Sequence, residues 1–307
     1  RAQLERRLKL YWKPVYALVR PFRRWNNRFF AYGVERLIRE NSPDVVISTH
    51  FLGGEVTSHL KKKRVCAVKL VTVVTDYLAH SIWLDSETDL YCAACEETAE
   101  DLARRGVPRE KIRVTGIPIE PKFSAKFDRA GLRASLGVSE RFTALLTSGG
   151  GGAGMLEPLL GRLSFLEPPL EILAVCGTNE PMRARLAARY RGNERVRIFG
   201  FVDNVHELMT AADIMVGKGG GLTITECLAM SKPMVLIGAV PGQETKNVRV
   251  MVRAKAASFA RTLSDAVQWV QRYQKDPGFY SQALEAIAKV RRVDAAAQIV
   301  KASKETA

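Results

Sequence analysis

Cysteine is scarce in this chain. Five occur in 307 residues, odd in number and irregularly spaced, which excludes a disulfide framework and fits a reducing compartment. No run of about 18 apolar residues is present, so no segment reads as a membrane-spanning helix. The start lacks the charged-then-apolar order of a secretory signal, and the expectation is a cytoplasmic protein whose membrane contact, if any, is peripheral. Acids are also in short supply, with 32 Asp and Glu against 47 Lys and Arg and a formal net charge of +15. That bias favours an anionic partner: nucleic acid, a membrane surface or a phosphorylated substrate. No RNP-like, zinc-finger or helix-turn-helix pattern accompanies the charge, so a nucleic-acid partner is not expected. Cys92 and Cys95 form a lone CxxC with neither a second pair nor histidines at ligand spacing, so no zinc site is expected. Cys92 reads as a buried strand residue, and Cys95 lies near a helix start.

What is present is enough apolar side chain, 47% of residues, to build two α/β cores in a chain longer than one typical domain. Short β-branched runs recur at Asp44–Ser48, Val68–Thr72, Ala144–Thr147, Glu171–Cys176, Arg195–Phe199, Ile214–Val216 and Pro233–Ile237. Helix-like stretches such as Glu96–Arg105, Pro181–Tyr190 and Thr223–Met230 lie between them. Buried strands alternating with helices predict parallel sheets covered on both faces. The polar stretch from Pro121 to Arg141 interrupts this rhythm, which places a domain boundary near Ser139, with a first domain over residues 1–139 and a second over 140–307. The final helix is expected to pack back on the first domain. From Arg1 to Phe30, nine Lys and Arg alternate with Tyr11, Trp12, Tyr16, Phe22, Trp25, Phe29 and Phe30 against the single acid Glu5. That mixture suits an anionic bilayer interface; an amphipathic segment packed on its own domain is the alternative.

Two glycine loops follow strands. Ser148–Met155 (SGGGGAGM) formally contains GxGxxG through Gly149, Gly151 and Gly154. A dinucleotide site also needs an acid at the end of the next strand. That strand ends Val175-Cys176-Gly177, so no nicotinamide or flavin is expected. The loop retains a general capacity: backbone N–H groups without side chains approach a phosphate at a helix start. The second loop, Gly217-Lys218-Gly219-Gly220-Gly221-Leu222-Thr223, runs into a helix carrying Glu226, whose carboxylate can accept two hydroxyl hydrogen bonds from a ribose. No GKS or GKT follows the required glycine spacing, which excludes a Walker A loop. Pro241–Asn247 (PGQETKN) reads as a loop whose amide and carboxylate side chains suit sugar hydroxyls; a solvated, helix-capping loop is the alternative.

Taken in order, TSGGGGAG, VCGTN, GFVDN, GKGGGLTITE and PGQETKN resemble the donor half of the monogalactosyldiacylglycerol synthase and processive diacylglycerol glucosyltransferase family. STHFLGG, VVTDYLAHSIW and VTGIPIEPKF are similar to its lipid-acceptor half. The resemblance implies an α/β GT-B fold, two Rossmann-like domains facing a cleft. It further implies that Gly149, Gly150 and Gly151 and Lys218, Gly219, Gly220, Gly221, Leu222 and Thr223 line the diphosphate. Glu226 would bind the uridine ribose. Gly177, Asn179 and Phe201 would surround the uracil, and Gln243, Glu244 and Asn247 would face the donor sugar. Asp76, His50 and His80 fall at the acceptor-side polar positions; helix capping is the alternative for Asp76, and capping at the strand end for His50. Family members begin with a strand and a glycine loop ending in histidine, and Arg1 falls downstream of that element, which implies a shorter first domain.

The expected function is inverting transfer of galactose or glucose from a UDP-sugar to diacylglycerol, at the cytoplasmic face of an anionic membrane. No metal or cofactor is expected, because helix-start amides and Lys218 can neutralise the leaving diphosphate; a solvated cation is the alternative for Lys218. Two other functions stay open: transfer of N-acetylglucosamine to a polyprenyl-linked acceptor, and a non-catalytic nucleotide-sugar sensor.

Overall fold

A computed structural model of the protein describes residues 32–147, 155–238 and 243–305. The basic aromatic stretch before residue 31 and the glycines at 149–151 lie outside these residues. The first half begins with helical residues 32–41 (α1) and carries four strands: β1 (Val45–Ser48), β2 (Lys69–Val73), β3 (Leu90–Ala93) and β4 (Ile112–Val114). They pair in sequence order and in parallel. Helices α2 (Phe51–Lys62) and α3 (Glu96–Arg104) connect them. Four of the five β2 residues and all four β3 residues are buried, as expected of parallel strands covered on both faces. Basic residues His59, Lys61 and Lys62 close the last turn of α2, and Glu96 and Glu97 open α3. Both placements complement the helix dipole.

Between the sheets the chain forms a 3-10 turn at Pro121–Ser124 and helix α4 (Arg129–Ser135), where the sequence suggested only a polar interruption. Asp128 caps α4 by accepting from the Ala130 N–H. Arg133 is buried and ties the crossing to the second half: its guanidinium donates to the carbonyls of Ala211 and Arg141, each at 2.7 Å, and to that of Ser139.

The second half contains α5 (Leu156–Leu163), α6 (Glu180–Arg189), α7 (Val205–Ala211), α8 (Gly221–Ala229), α9 (Gln243–Arg253), α10 (Leu263–Lys275) and α11 (Pro277–Val290). Its strands are β5 (Thr143–Thr147), β6 (Glu171–Val175), β7 (Val196–Phe199), β8 (Ile214–Gly217), β9 (Met234–Ile237) and β10 (Ala257–Ala260). They form one parallel sheet in the order β10-β9-β8-β5-β6-β7. This is the dinucleotide-fold strand order, and its direction reverses between β5 and β8. Buried side chains such as Leu145 and Leu173 on one face and Leu146 and Ile172 on the other fill two cores around the sheet. Each contributes about 1.5 to 3 kcal/mol relative to an exposed position.

Helix α12 (Ala295–Glu305) returns to the first sheet. Its Ile299 and Ala302 pack against Val71, Val73, Leu90 and Cys92, and Lys69 Nζ donates to the Ser303 carbonyl at 2.5 Å. Among the described residues, no helix is long and apolar enough to cross a membrane.

Candidate active site

Every parallel strand in this fold points its carboxyl end towards the same crevice, and ligands of open α/β sheets bind there, at the point where strand order reverses. Both glycine loops leave strands at that point: one follows β5, the other follows β8 and opens α8. A shallow depression of about 600 Å³ lined by Arg141, Arg191 and Arg195 lies at the opposite, amino ends of β5 and β7.

The β8–α8 turn explains its glycines individually. A Cβ on Gly217 would sit 2.4 Å from Thr147 Oγ1, and one on Gly219 would sit 2.7 Å from Val248 Cγ2. At Gly221 it would sit 2.2 Å from the Thr75 carbonyl oxygen at the end of β2. Gly220, the N-cap of α8, has only Thr223 Oγ1 within 4 Å, at 3.9 Å. Three glycines therefore answer to close packing, Gly217 and Gly219 against side chains and Gly221 against backbone between the two sheets, and Gly220 leaves the helix start open to an anion. Lys218 is half-buried beside it with no ion-pair partner among the described residues. Thr223 is partly buried and Leu222 is exposed.

Glu226 lies in the second turn of α8. Its carboxylate is half-buried and has no hydrogen-bond partner among the described residues. Burial pushes it above the usual carboxylate range, the charge of Glu120 adds to this, and Lys122 opposes it. In its ionised form the group is acceptor-only and suits two ribose hydroxyls. Glu120 and Lys122, on the crossing segment, were not singled out from sequence; their proximity to α8 arises only in three dimensions. Gly177 follows β6 with φ +59°, a left-handed backbone that favours glycine. Asn179 caps α6 by accepting from the Met182 N–H at 3.1 Å, and Phe201, two residues past β7, is 75% exposed. All three sit at strand carboxyl ends, beside the crevice.

Pro241–Asn247 differs from the sequence expectation. Helix α9 begins at Gln243, so Gln243, Glu244 and Asn247 are helical instead of belonging to a loop. A run of amides and acids without apolar spacing disguises the helix start. Glu244 is partly buried. Asn247 is buried, at 1% exposure, with its amide turned towards the first sheet.

On that side, Asp76 follows β2 and is buried. Its Oδ2 accepts from Trp83 Nε1 at 3.1 Å, and its Oδ1 accepts from Asn247 Nδ2 at 3.4 Å. His50 caps α2: Nδ1 accepts from the Leu52 N–H at 3.3 Å. His80 caps the 3-10 turn Ser81–Trp83 in the same way, accepting from Ile82 at 3.3 Å. An accepting Nδ1 places the neutral ring's proton on Nε2, which makes Nε2 a donor in both histidines. Lys246, in the motif but not singled out from sequence, donates to the Ala79 carbonyl at 3.2 Å. Burial lowers its pKa, Arg105 adds to this, and the charges of Asp101 and Asp76 oppose it. Tyr77 closes the junction through its hydroxyl, 3.0 Å from Thr225 Oγ1 on α8.

Cys92 is buried in β3 and Cys95 precedes α3; burial pushes the Cys92 thiol up to about 11. Among the described residues no three or more His, Cys, Asp or Glu side chains gather as metal ligands.

Residues 9–119 match the family described as monogalactosyldiacylglycerol (MGDG) synthase, and residues 147–267 match the glycosyltransferase family 28 C-terminal domain. A processive diacylglycerol beta-glucosyltransferase of Bacillus thuringiensis (strain Al Hakam) is 30% identical over 280 residues, covering 90% of this chain and 71% of that protein. Among solved structures, Acinetobacter baumannii MurG superposes with a TM-score of 0.65 at 16% identity, over 90% of this chain and 77% of that one. Anabaena Alr3699/HepE in complex with UDP-glucose gives 0.62 at 18% identity, over 90% and 81%. Both share the GT-B architecture. The chain thus belongs to the monogalactosyldiacylglycerol synthase and processive diacylglycerol glucosyltransferase family of GT-B glycosyltransferases.

Proposed function

We propose that this protein transfers a hexose, glucose or galactose, from a UDP-sugar to the hydroxyl of diacylglycerol, with inversion at the anomeric carbon. The carrying observation is Glu226, a half-buried carboxylate without a hydrogen-bond partner among the described residues, in the second turn of a helix whose open start lies at the sheet's switch point. In this reading uridine lies along the carboxyl ends of β6 to β8 with its ribose on Glu226, and the diphosphate meets the amides of Gly220 to Thr223 and Lys218. Gly149 to Gly151, outside the described residues, are assigned to the same diphosphate, and Gln243 and Glu244 to the sugar. Asp76 accepts the acceptor's O–H proton while the oxygen attacks the anomeric carbon. The bond to the diphosphate breaks with its electron pair on the departing UDP, and the helix-start dipole and Lys218 offset that charge without a metal. Asp76 is preferred to His50 and His80 because both histidines present a donor at Nε2.

Calorimetry tests the ribose assignment. Glu226→Ala is expected to weaken UDP binding roughly 10-fold to 150-fold, the equivalent of about 1.5 to 3 kcal/mol for a hydrogen bond to a charged group. The ionised form is lost as pH falls through the raised carboxyl value, so wild-type affinity should decline on acidification earlier than a solvated glutamate would allow. Glu226→Gln should not show that decline. Unchanged affinity in the folded Ala variant removes Glu226 from the site.

The basic aromatic stretch, outside the described residues, is proposed to meet the anionic cytoplasmic face of a membrane as a peripheral contact. Changing Arg20, Arg23 and Arg24 together to Glu should abolish sedimentation with acidic vesicles, since each cation near such a surface contributes about 1 kcal/mol. Equal sedimentation of this variant and wild type rules the contact out.

A further inference from the structure

One buried amide touches both halves of the site. Asn247 Oδ1 accepts from the Tyr77 N–H at 2.8 Å, and its Nδ2 donates to Asp76 Oδ1 at 3.4 Å and to the Gly219 carbonyl at 3.3 Å. Asp76 and Tyr77 belong to the turn after β2, Gly219 belongs to the turn before α8, and Asn247 lies in α9. An asparagine amide has two N–H donors and one carbonyl oxygen, and here each is engaged by protein. At 1% exposure it has no N–H left for a sugar hydroxyl. Two further contacts hold the turn after β2 against α8: Gly221 against the Thr75 carbonyl, and Tyr77 Oη against Thr225 Oγ1. The charged group facing Asp76 from α9 is Lys246, and Trp83 Nε1 holds the other carboxylate oxygen.

We propose that Asn247 is a positioning residue that couples the acceptor-side carboxylate of Asp76 to the diphosphate turn at Gly219, so that ordering of the donor turn and orientation of Asp76 are one event. This rests on the reading above, in which Asp76 takes the acceptor proton and the Gly219 turn meets the diphosphate. A single shift of α9 would loosen both Asp76 Oδ1 and Gly219 at once. Bound UDP, by fixing the Gly219 turn, holds Asn247 and through it Asp76.

The test is an exchange of the two side chains. In Asn247→Asp the Tyr77 N–H keeps its acceptor, but a second carboxylate faces Asp76, and such a pair retains one proton to a higher pH than either acid alone. Because that raised affinity belongs to the folded state, the variant should be near wild-type stability at low pH and lose stability as pH rises. By pH 8 its melting temperature should lie about 4 °C or more below wild type. The exchange variant Asp76→Asn with Asn247→Asp restores one amide facing one carboxylate and should recover most of that loss. In activity, Asn247→Asp should move the acidic limb of kcat/KM upward by about one pH unit or more and raise the Kd for UDP by about 3-fold to 10-fold through the Gly219 contact.

A stability deficit equal at pH 5 and pH 8 and unrelieved by Asp76→Asn would overturn the coupling and leave Asn247 a packing residue. If Asn247→Asp does not accumulate folded, Asn247→Ala replaces it: its loss in kcat should vanish in an Asp76→Asn background, and full additivity of the two losses would overturn the proposal. A recovered exchange variant combined with wild type that binds UDP but turns over no UDP-sugar with diacylglycerol would instead place the failure in the acceptor assignment.

Discussion

Replacing Asp76 by Asn is expected to lower kcat by about 100-fold to 10,000-fold, the usual contribution of a positioned proton acceptor, while UDP affinity changes little. The substitution is nearly isosteric. The amide oxygen can still accept from Trp83 Nε1 or Asn247 Nδ2, which hold the carboxylate in place, so folding is expected to survive. The lost capacity is the one needed for transfer, since an amide oxygen does not retain a proton at neutral pH. A comparable drop in kcat and kcat/KM would mark an interaction made only in the transition state. Turnover within a few-fold of wild type would remove Asp76 from proton transfer and turn attention to His50 and His80, whose tautomers would then have to reverse.

Gly221→Ala is expected to do its damage at the junction of the two sheets. The new Cβ would lie 2.2 Å from the Thr75 carbonyl oxygen and 3.3 Å from its carbon; both are backbone, so no rotamer change relieves the overlap. Overpacking of this kind costs about 1 to 3 kcal/mol or more. The start of α8 must retreat from β2, which stretches the Tyr77–Thr225 contact and shifts Gly219 relative to Asn247. Displacement of reacting groups by about 1 Å can reduce turnover about 100-fold, so kcat/KM should fall by that order along with the melting temperature. Gly161→Ala in α5 is the control: its Cβ would meet only Tyr190 Oη at 3.8 Å, and alanine is preferred over glycine in a helix by about 0.5 to 1 kcal/mol. Loss of turnover in the control but not at Gly221 would overturn this account.

Most of the alternating architecture is legible in the sequence, because strands buried on both faces, such as Met234–Ile237, read as unbroken apolar runs. Three strands escape that signal. Of Leu90–Ala93 only Cys92 reads as a strand residue. Ile112–Val114 is three residues long with an exposed arginine in the middle, and Ala257–Ala260 contains one large side chain in four. The glycine turn before α8 is visible as a ligand loop, but the steric demands on Gly217, Gly219 and Gly221 come from Thr147, Val248 and Thr75, which only folding brings near. Asn247 shows the limit more sharply. In sequence it is one polar residue among several, while two of its three partners lie about 170 positions away. The capping roles of His50 and His80 are local, within two residues, and so a strand-end or helix-start histidine can be read directly.

Helix α12 has a consequence for the order of events during synthesis. Val71, Val73 and Leu90 emerge from the ribosome early, yet the cover they share with Cys92 is made by Ile299 and Ala302, more than 200 positions later. The second sheet and its helices have all been made by then, and domains generally fold as units as they emerge. The first sheet must therefore wait with one apolar face open while the later half assembles, and the nascent chain carries a sticky surface for most of its translation. Shortening the chain before residue 295 would make that temporary state permanent, giving a protein whose nucleotide half is complete and whose other half invites chaperones or aggregation.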